Sequence, residues 1–183
     1  PGGSIVAVTQ TTSNNAVTNG RSFNIGAGEH TEFRQPSATS TTLNTVISNN
    51  PSEIFGRMSA NGKIVLINQN GILIGNGAQV DVSGLVASTA DIHNEDFMSG
   101  NYSFSISGNP DAEIRNDGEI NIHNKGMVAL VAPHVTNNGN ITAYLGKVTL
   151  TAADRWVLDA GGLVKMIVDD SIVRGTTSKE IVM

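Results

Sequence analysis

Two adjacent carboxylates, Asp169-Asp170, are by type the best candidates for paired acid–base work, as in β-helical enzymes that cleave acidic polysaccharides. Neighbouring residues on a strand point to opposite faces, so this pair would meet at one substrate atom only across a turn or bulge. No His-Gly-His or Asn-Thr-Asp cluster accompanies it, and catalysis is not expected. The four histidines, His30, His93, His123 and His134, are scattered. None forms a His-x-x-x-His pair, and no cysteine is present to complete a metal site. They are expected at the surface or at chain corners, with neither metal nor cofactor. The run from Gly75 to Val82 shares an outline with the calcium-binding nonapeptide, but it occurs once and lacks the Asp after the second Gly. Phosphate-binding loops, nucleophile elbows and dinucleotide fingerprints are absent from the sequence. The single tryptophan, Trp156, lies in Asp154-Arg155-Trp156-Val157-Leu158. Packing in a core or groove is the expectation there, with a carbohydrate-stacking platform as the sharper alternative.

The segment Asn68-Gln69-Asn70-Gly71-Ile72 carries chemistry of another kind. Asn and Gly both tolerate positive φ, and an Asn side chain can bond the backbone two residues on. Such residues suit a sharp corner where backbone polar groups would otherwise be buried unpaired. Whether the corner is only structural or also read by a partner stays open at this level.

The surrounding elements are short. Lys63-Ile64-Val65-Leu66-Ile67, Ile72-Leu73-Ile74, Val80-Asp81-Val82 and Leu85-Val86-Ala87 read as strands separated by connections of two to five residues. A two-layer sandwich needs longer strands; the sides of a coil do not. A repeat supports the coil. Asn116-Asp117-Gly118-Glu119-Ile120 matches Asn137-Asn138-Gly139-Asn140-Ile141, and residues 126–132 match residues 146–152. The apolar residues of the latter pair alternate, so one face points inward. A unit of about 20 residues cannot bury that face alone, and stacking buries it continuously. The expected fold is therefore all-β: a right-handed parallel β-helix with about 20 residues and three strands per coil, in roughly nine coils about 4.8 Å apart.

Elsewhere the pattern is weaker. Residues 1–22 are expected to form an N-terminal cap, with an antiparallel strand at residues 4–9 and a polar stretch from Thr11 to Arg21 that turns at Asn19-Gly20. Asn50 or Ser52 could cap one helical turn. Residues 93–110 break the repeat and read as an excursion packed on the side of the coil, anchored by Phe97, Tyr102 and Phe104. Ile172-Val173-Arg174 and Glu180-Ile181-Val182 read as coil strands without a polar cap, so residues 1–183 are expected to be one domain of a longer protein.

The chain has 183 residues, enough for one sizeable core, and a net charge of −5 with no basic cluster. Nucleic acid and acidic membrane surfaces are poor partners for such a chain. No apolar run approaches the length of a transmembrane helix, so membrane insertion is not expected. The start, Pro1-Gly2-Gly3, has neither Met nor a basic leader and fits a mature or truncated product.

Residues 68–75 and 77–89 closely resemble the filamentous-haemagglutinin-type N-terminal secretion domain of two-partner secretion exoproteins, the haemagglutination activity domain. Ser22-Phe23-Asn24-Ile25-Gly26, residues 61–68, 126–132 and 146–152 resemble the same family, and the likeness runs from about Gln10 to about Val164. It implies recognition of the unfolded domain by the periplasmic domains of an outer-membrane β-barrel transporter, with Asn68, Gln69, Asn70, Gly71 and Ile72 as the recognition segment. It further implies passage from the periplasm of a Gram-negative bacterium and folding outside, the domain nucleating a β-helix at the cell surface or in the medium. The absence of cysteine suits a chain that crosses a pore unfolded. The rest of the exoprotein would carry adhesin, cytolysin or toxin-delivery activity and any host ligand; a monomer is expected. The chain departs from the family where Gln69 replaces a Pro, where Gly20-Arg21-Ser22-Phe23 lacks a preceding Trp, and where Asn44-Thr45-Val46 replaces Asn-Arg-Val. It carries no second Asn-Pro-Asn-Leu motif, which favours the adhesin or haemagglutinin branch over the cytolysins. A direct carbohydrate- or host-protein-binding module is the competing reading, and a polysaccharide-degrading enzyme the next.

Overall fold

The computed structural model describes residues 4–12 and 14–167. The chain winds through β1 (Ile5–Thr9) and β2 (Asn15–Gly20), then β3 (His30–Arg34), β4 (Thr41–Val46) and β5 (Ser52–Ile54). The next coil is β6 (Arg57–Ala60), β7 (Lys63–Asn68) and β8 (Ile72–Ile74), followed by β9 (Gln79–Val82) and β10 (Gly84–Ser88). An excursion with α1 (Asn94–Ser99) and β11 (Ser103–Phe104) intervenes before β12 (Glu113–Asn116). The coil resumes at β12 and continues with β13 (Glu119–Ile122), β14 (Met127–Ala132), β15 (His134–Asn137), β16 (Asn140–Ala143) and β17 (Lys147–Ala152). Two short strands, β18 (Trp156–Leu158) and β19 (Val164–Met166), then lie outside it.

Equivalent strands stack in parallel. Sheet A runs β1-β3-β6-β9-β13-β16, sheet B β2-β4-β7-β10-β14-β17 and sheet C β5-β8-β12-β15. This is a three-sided parallel β-helix. Met127–Ala132 lies in register on Lys147–Ala152, and Asn116 faces Asn137, as the repeat predicts. Among the described residues the long sheets are six strands deep, not roughly nine, because the excursion and residues 153–167 leave the coil. At about 4.8 Å per level the stack is roughly 24 Å tall.

Alternate side chains fill the interior: Met58, Val80 and Ile120 from sheet A, Ile64, Leu66, Leu85, Val128 and Leu130 from sheet B, and Ile54, Ile72 and Ile114 from sheet C. The first coils are more polar inside. Gln35 Nε2 donates to Thr42 Oγ1 at 3.0 Å and to the Lys63 carbonyl at 3.0 Å, while Gln35 Oε1 accepts from Gly62 N–H at 2.9 Å. Thr42 in turn donates to Gln10 Oε1 at 2.8 Å. With its bonds made, this buried amide links successive coils; unpaired, it would cost about 1–3 kcal/mol.

Three local expectations are corrected here. The strand at residues 4–9 is parallel to β3, with Ile5 opposite His30, because the chain completes a full turn before returning. The polar stretch through Asn19-Gly20 is not a turn but β2, in register with β4, where ladder bonds satisfy its backbone whatever its side chains. Ser52 opens strand β5, not a helix: its hydroxyl accepts from Asn68 Nδ2 at 3.0 Å, and β5 pairs with β8.

The excursion leaves and returns through a neck where Asp91 and Ile106 exchange backbone bonds. Phe97 and Phe104 are fully buried against the outward face of sheet B, with Tyr102 packed beside them. Phe104 stacks on Trp156 at 3.9 Å, and β11 pairs antiparallel with β18.

Candidate functional site

The corner between β7 and β8 holds the candidate recognition residues. Gly71 N–H donates to the Asn68 carbonyl at 3.1 Å and closes the turn. Of its members only Gly71 has positive φ, at 115°; Asn68 and Asn70 do not need the left-handed tolerance that their type offers. A Cβ on Gly71 would also lie 2.8 Å from the Glu113 carbonyl, so glycine is required twice over.

Asn68 is fully buried. Its Nδ2 donates to the Asn50 carbonyl and to Ser52 Oγ, both at 3.0 Å, and its Oδ1 accepts from Asn70 N–H at 3.0 Å. Asn70 Nδ2 reaches the Ser48 carbonyl at 3.0 Å. Gln69 turns the other way, donating from Nε2 to the Ser107 carbonyl at 3.3 Å while its own carbonyl accepts from Asn109 N–H at 2.9 Å. Ile72 is buried in sheet C between Ser52 and Ile114. The five residues thus sit together, and the Asn68 and Asn70 amides act as clamps to the neighbouring coil.

The other singled-out residues lie apart from the corner. Trp156 is fully buried, and its Nε1 donates to Ser88 Oγ at 3.1 Å, which leaves no ring face for a sugar. Asp169 and Asp170 lie outside the described residues. On sheet A the fold does assemble a chain that sequence reasoning missed: His123 Nδ1 lies 3.0 Å from Ser83 Oγ, and its Nε2 lies 2.9 Å from Asp81 Oδ1. No spacing motif signals it, because His123 stands one coil below the other two. Its polarity is wrong for a nucleophile. The Ser83 hydroxyl spends its proton on the Asn61 carbonyl at 2.8 Å, so the facing ring nitrogen is placed as a donor rather than as a base. Charge is tuned locally and at the surface elsewhere. The Arg115 guanidinium, helped by Asn138, holds the Asp117 carboxyl below its usual range, whereas burial at the neck pushes Asp91 up.

A family model described as the TPS secretion domain matches residues 1–177. The chain is a TPS secretion domain. Its relatives include a heme/hemopexin-binding protein of Haemophilus influenzae strain Rd, 32% identical over 166 residues, which are 87% of this chain and 18% of that protein. A second H. influenzae heme/hemopexin-binding protein is 40% identical over 85 residues, 46% of this chain and 9% of its own length. The crystal structure of the HMW1 secretion domain from H. influenzae matches with a TM-score of 0.71 and 34% identity, over 81% of this chain and 42% of that one. The chain therefore spans less than a fifth of the curated relatives it matches. As a TPS secretion domain it belongs to a secreted protein of Gram-negative bacteria, has a cognate outer-membrane transporter, and comes from a family of export modules rather than catalysts.

Proposed function

We propose that Asn68–Ile72 is the segment that the transporter's periplasmic domains read, and that they read it before the domain folds. The burial of Asn68 carries this reading. In the folded coil both protons of its amide are spent on Asn50 and Ser52, and Asn70 is tied to Ser48. A partner that used these amides would need them in an extended chain, where a strand can be added to a sheet edge and its side chains sensed. After passage from the periplasm through the barrel, the same amides clamp successive coils and help nucleate the β-helix outside the cell. The full-length protein is read as an adhesin or haemagglutinin whose host ligand lies beyond this monomeric domain.

The test compares secreted with periplasmic protein for Asn68→Ala, Asn70→Ala and the surface control Asp81→Asn, alongside circular dichroism of each purified domain. The asparagine variants are expected to lose most export while still folding, and the control to be exported like the parent. Export of both asparagine variants at the parent level would leave the corner a purely structural element.

A further inference from the structure

The Asn68–Gly71 corner is covered from two sides by chain of very different position. On one side lie residues 48–52, which precede it. On the other lie residues 107–113, which run from the neck of the excursion into β12. The contact between Gln69 and Ser107 spans 38 residues. This second cover is closely fitted. Asn109 N–H bonds the Gln69 carbonyl, and the turn that follows is pinned by Ala112 N–H on the Asn109 carbonyl and by Asp111 N–H on Asn109 Oδ1. A Cβ on Gly108 would fall 2.3 Å from the Thr89 carbonyl and 2.9 Å from that of Gln69. Gly71 meets Glu113 equally closely from the corner's side. Glycine stands on both sides of the seam, where any side chain would hold the two segments apart.

We infer that residues 107–112 form a strap that shuts the recognition corner once the excursion has docked. The inference rests on the reading of Asn68–Ile72 as the recognition segment and adds its control. Before the strap seats, the carbonyl of Gln69 and the open face of Gly71 are free to pair with a strand of the transporter's periplasmic domains. After it seats, the same groups are occupied by Asn109 and Glu113, and only parts of Gln69 and Asn70 reach the surface. The strap lies well downstream, so the corner stays readable while the chain is extended and closes only when the coil, the neck and β12 have come together. Anchoring of the excursion by Phe97, Phe104 and Trp156 makes closure part of the domain's own folding. A folded, exported domain then cannot rebind the partner that released it.

The experiment measures binding of the purified periplasmic portion of the cognate transporter to the freshly diluted unfolded domain and to the folded domain, for the parent and for Gly108→Val. The readout is the ratio of folded to unfolded affinity, so a direct contribution of the altered residue cancels. The folded parent is expected to bind at least about tenfold more weakly than its unfolded form, as for a site open in a small fraction of molecules. Folded Gly108→Val should recover a measurable part of that loss, since residues 48–52 still hold Asn68 and Asn70, and show faster amide exchange at residues 69–71. Gln69→Ala, which removes the side-chain bond to Ser107 and spares both cores, should recover part of it and serves if Gly108→Val does not fold. Equal binding by folded and unfolded parent overturns both the strap and the reading of the segment before folding, whereas an unchanged ratio in a folded variant whose corner exchanges freely overturns the strap alone. Failure of the unfolded parent to bind, or unfolded binding indifferent to Asn68→Ala and Asn70→Ala, overturns the recognition reading and the strap with it.

Discussion

Sheets A and B share one interior and differ in what covers their outer faces. On sheet A the outward residues are Arg57, Ser59, Gln79, Asp81, Glu119 and Asn121, all at least partly exposed, so β6, β9 and β13 alternate between wet and dry positions. On sheet B, β10 is buried throughout, as is β14 beyond its first residue. Leu43, Val65, Ile67, Val86, Ala129 and Val131 point away from the coil and form a second core with Phe97, Phe104 and Trp156. Coil geometry treats the two sheets alike; the excursion and β18–β19 do not. The pattern along a strand therefore reports what lies on each face: alternation for one covered side, a continuous apolar run for two.

Removing the cover tests this most severely. Trp156→Ala deletes the stack on Phe104 and the bond to Ser88, and should cost about 3–5 kcal/mol in urea unfolding followed by circular dichroism. A loss below about 1 kcal/mol would make the second core a decoration rather than part of the cooperative unit. A subtler change keeps the volume and alters only polarity. Val131→Thr places a hydroxyl in that core at a fully buried position and should cost roughly 1–3 kcal/mol. On the bare sheet, Asp81→Asn weakens exposed contacts to His123 at 2.9 Å and Arg57 at 3.7 Å. There the expected change is within about 0.5 kcal/mol, and a larger one would mean that sheet A is also covered by something.

How far the sequence discloses the molecule follows from the same contrast. The stacking of residues 126–132 on 146–152 is legible because every inward residue is apolar and each corner ends in Gly. The excursion is legible as a gap in that rhythm. The first coils are not: β2 reads Asn-Ala-Val-Thr-Asn-Gly, and the interior beside it is lined by Thr42 and Asn44. Those polar groups are tolerated because residues as distant as Gln10, Gln35 and Gly62 satisfy one another, a relation with no local signature. In the corner, residue types point to a turn, and Gly71 takes the positive φ that they suggest. The partners of Asn68 and Asn70, at positions 48–52, and those of Gln69, at positions 107–109, depend on coil register and are set only by the assembled fold.

The smallest expected effect separates the charges of the covered and bare regions by pH. Asp91 sits at the neck of the cover, where burial raises its carboxyl pKa and the bond from Ile92 N–H and the nearby His93 only partly offset it. A folded pKa above the unfolded one means that the neutral acid is favoured in the fold. That contribution is complete below the ordinary aspartate range and is lost as pH rises through the raised value. Asp117 behaves oppositely. Arg115 and Asn138 hold its pKa down, so its contribution is present above the ordinary range and lost as pH falls through the lowered value; its exposure keeps that contribution slight. Asp91→Asn should therefore unfold at a higher temperature than the parent at about pH 7 and at the same temperature at about pH 3, where both side chains are neutral. Asp117→Asn should show no gain at the higher pH. A destabilised Asp91→Asn domain at neutral pH would mean that the neck needs its carboxylate charged, and that the cover is held on sheet B by electrostatics as well as by its aromatic core.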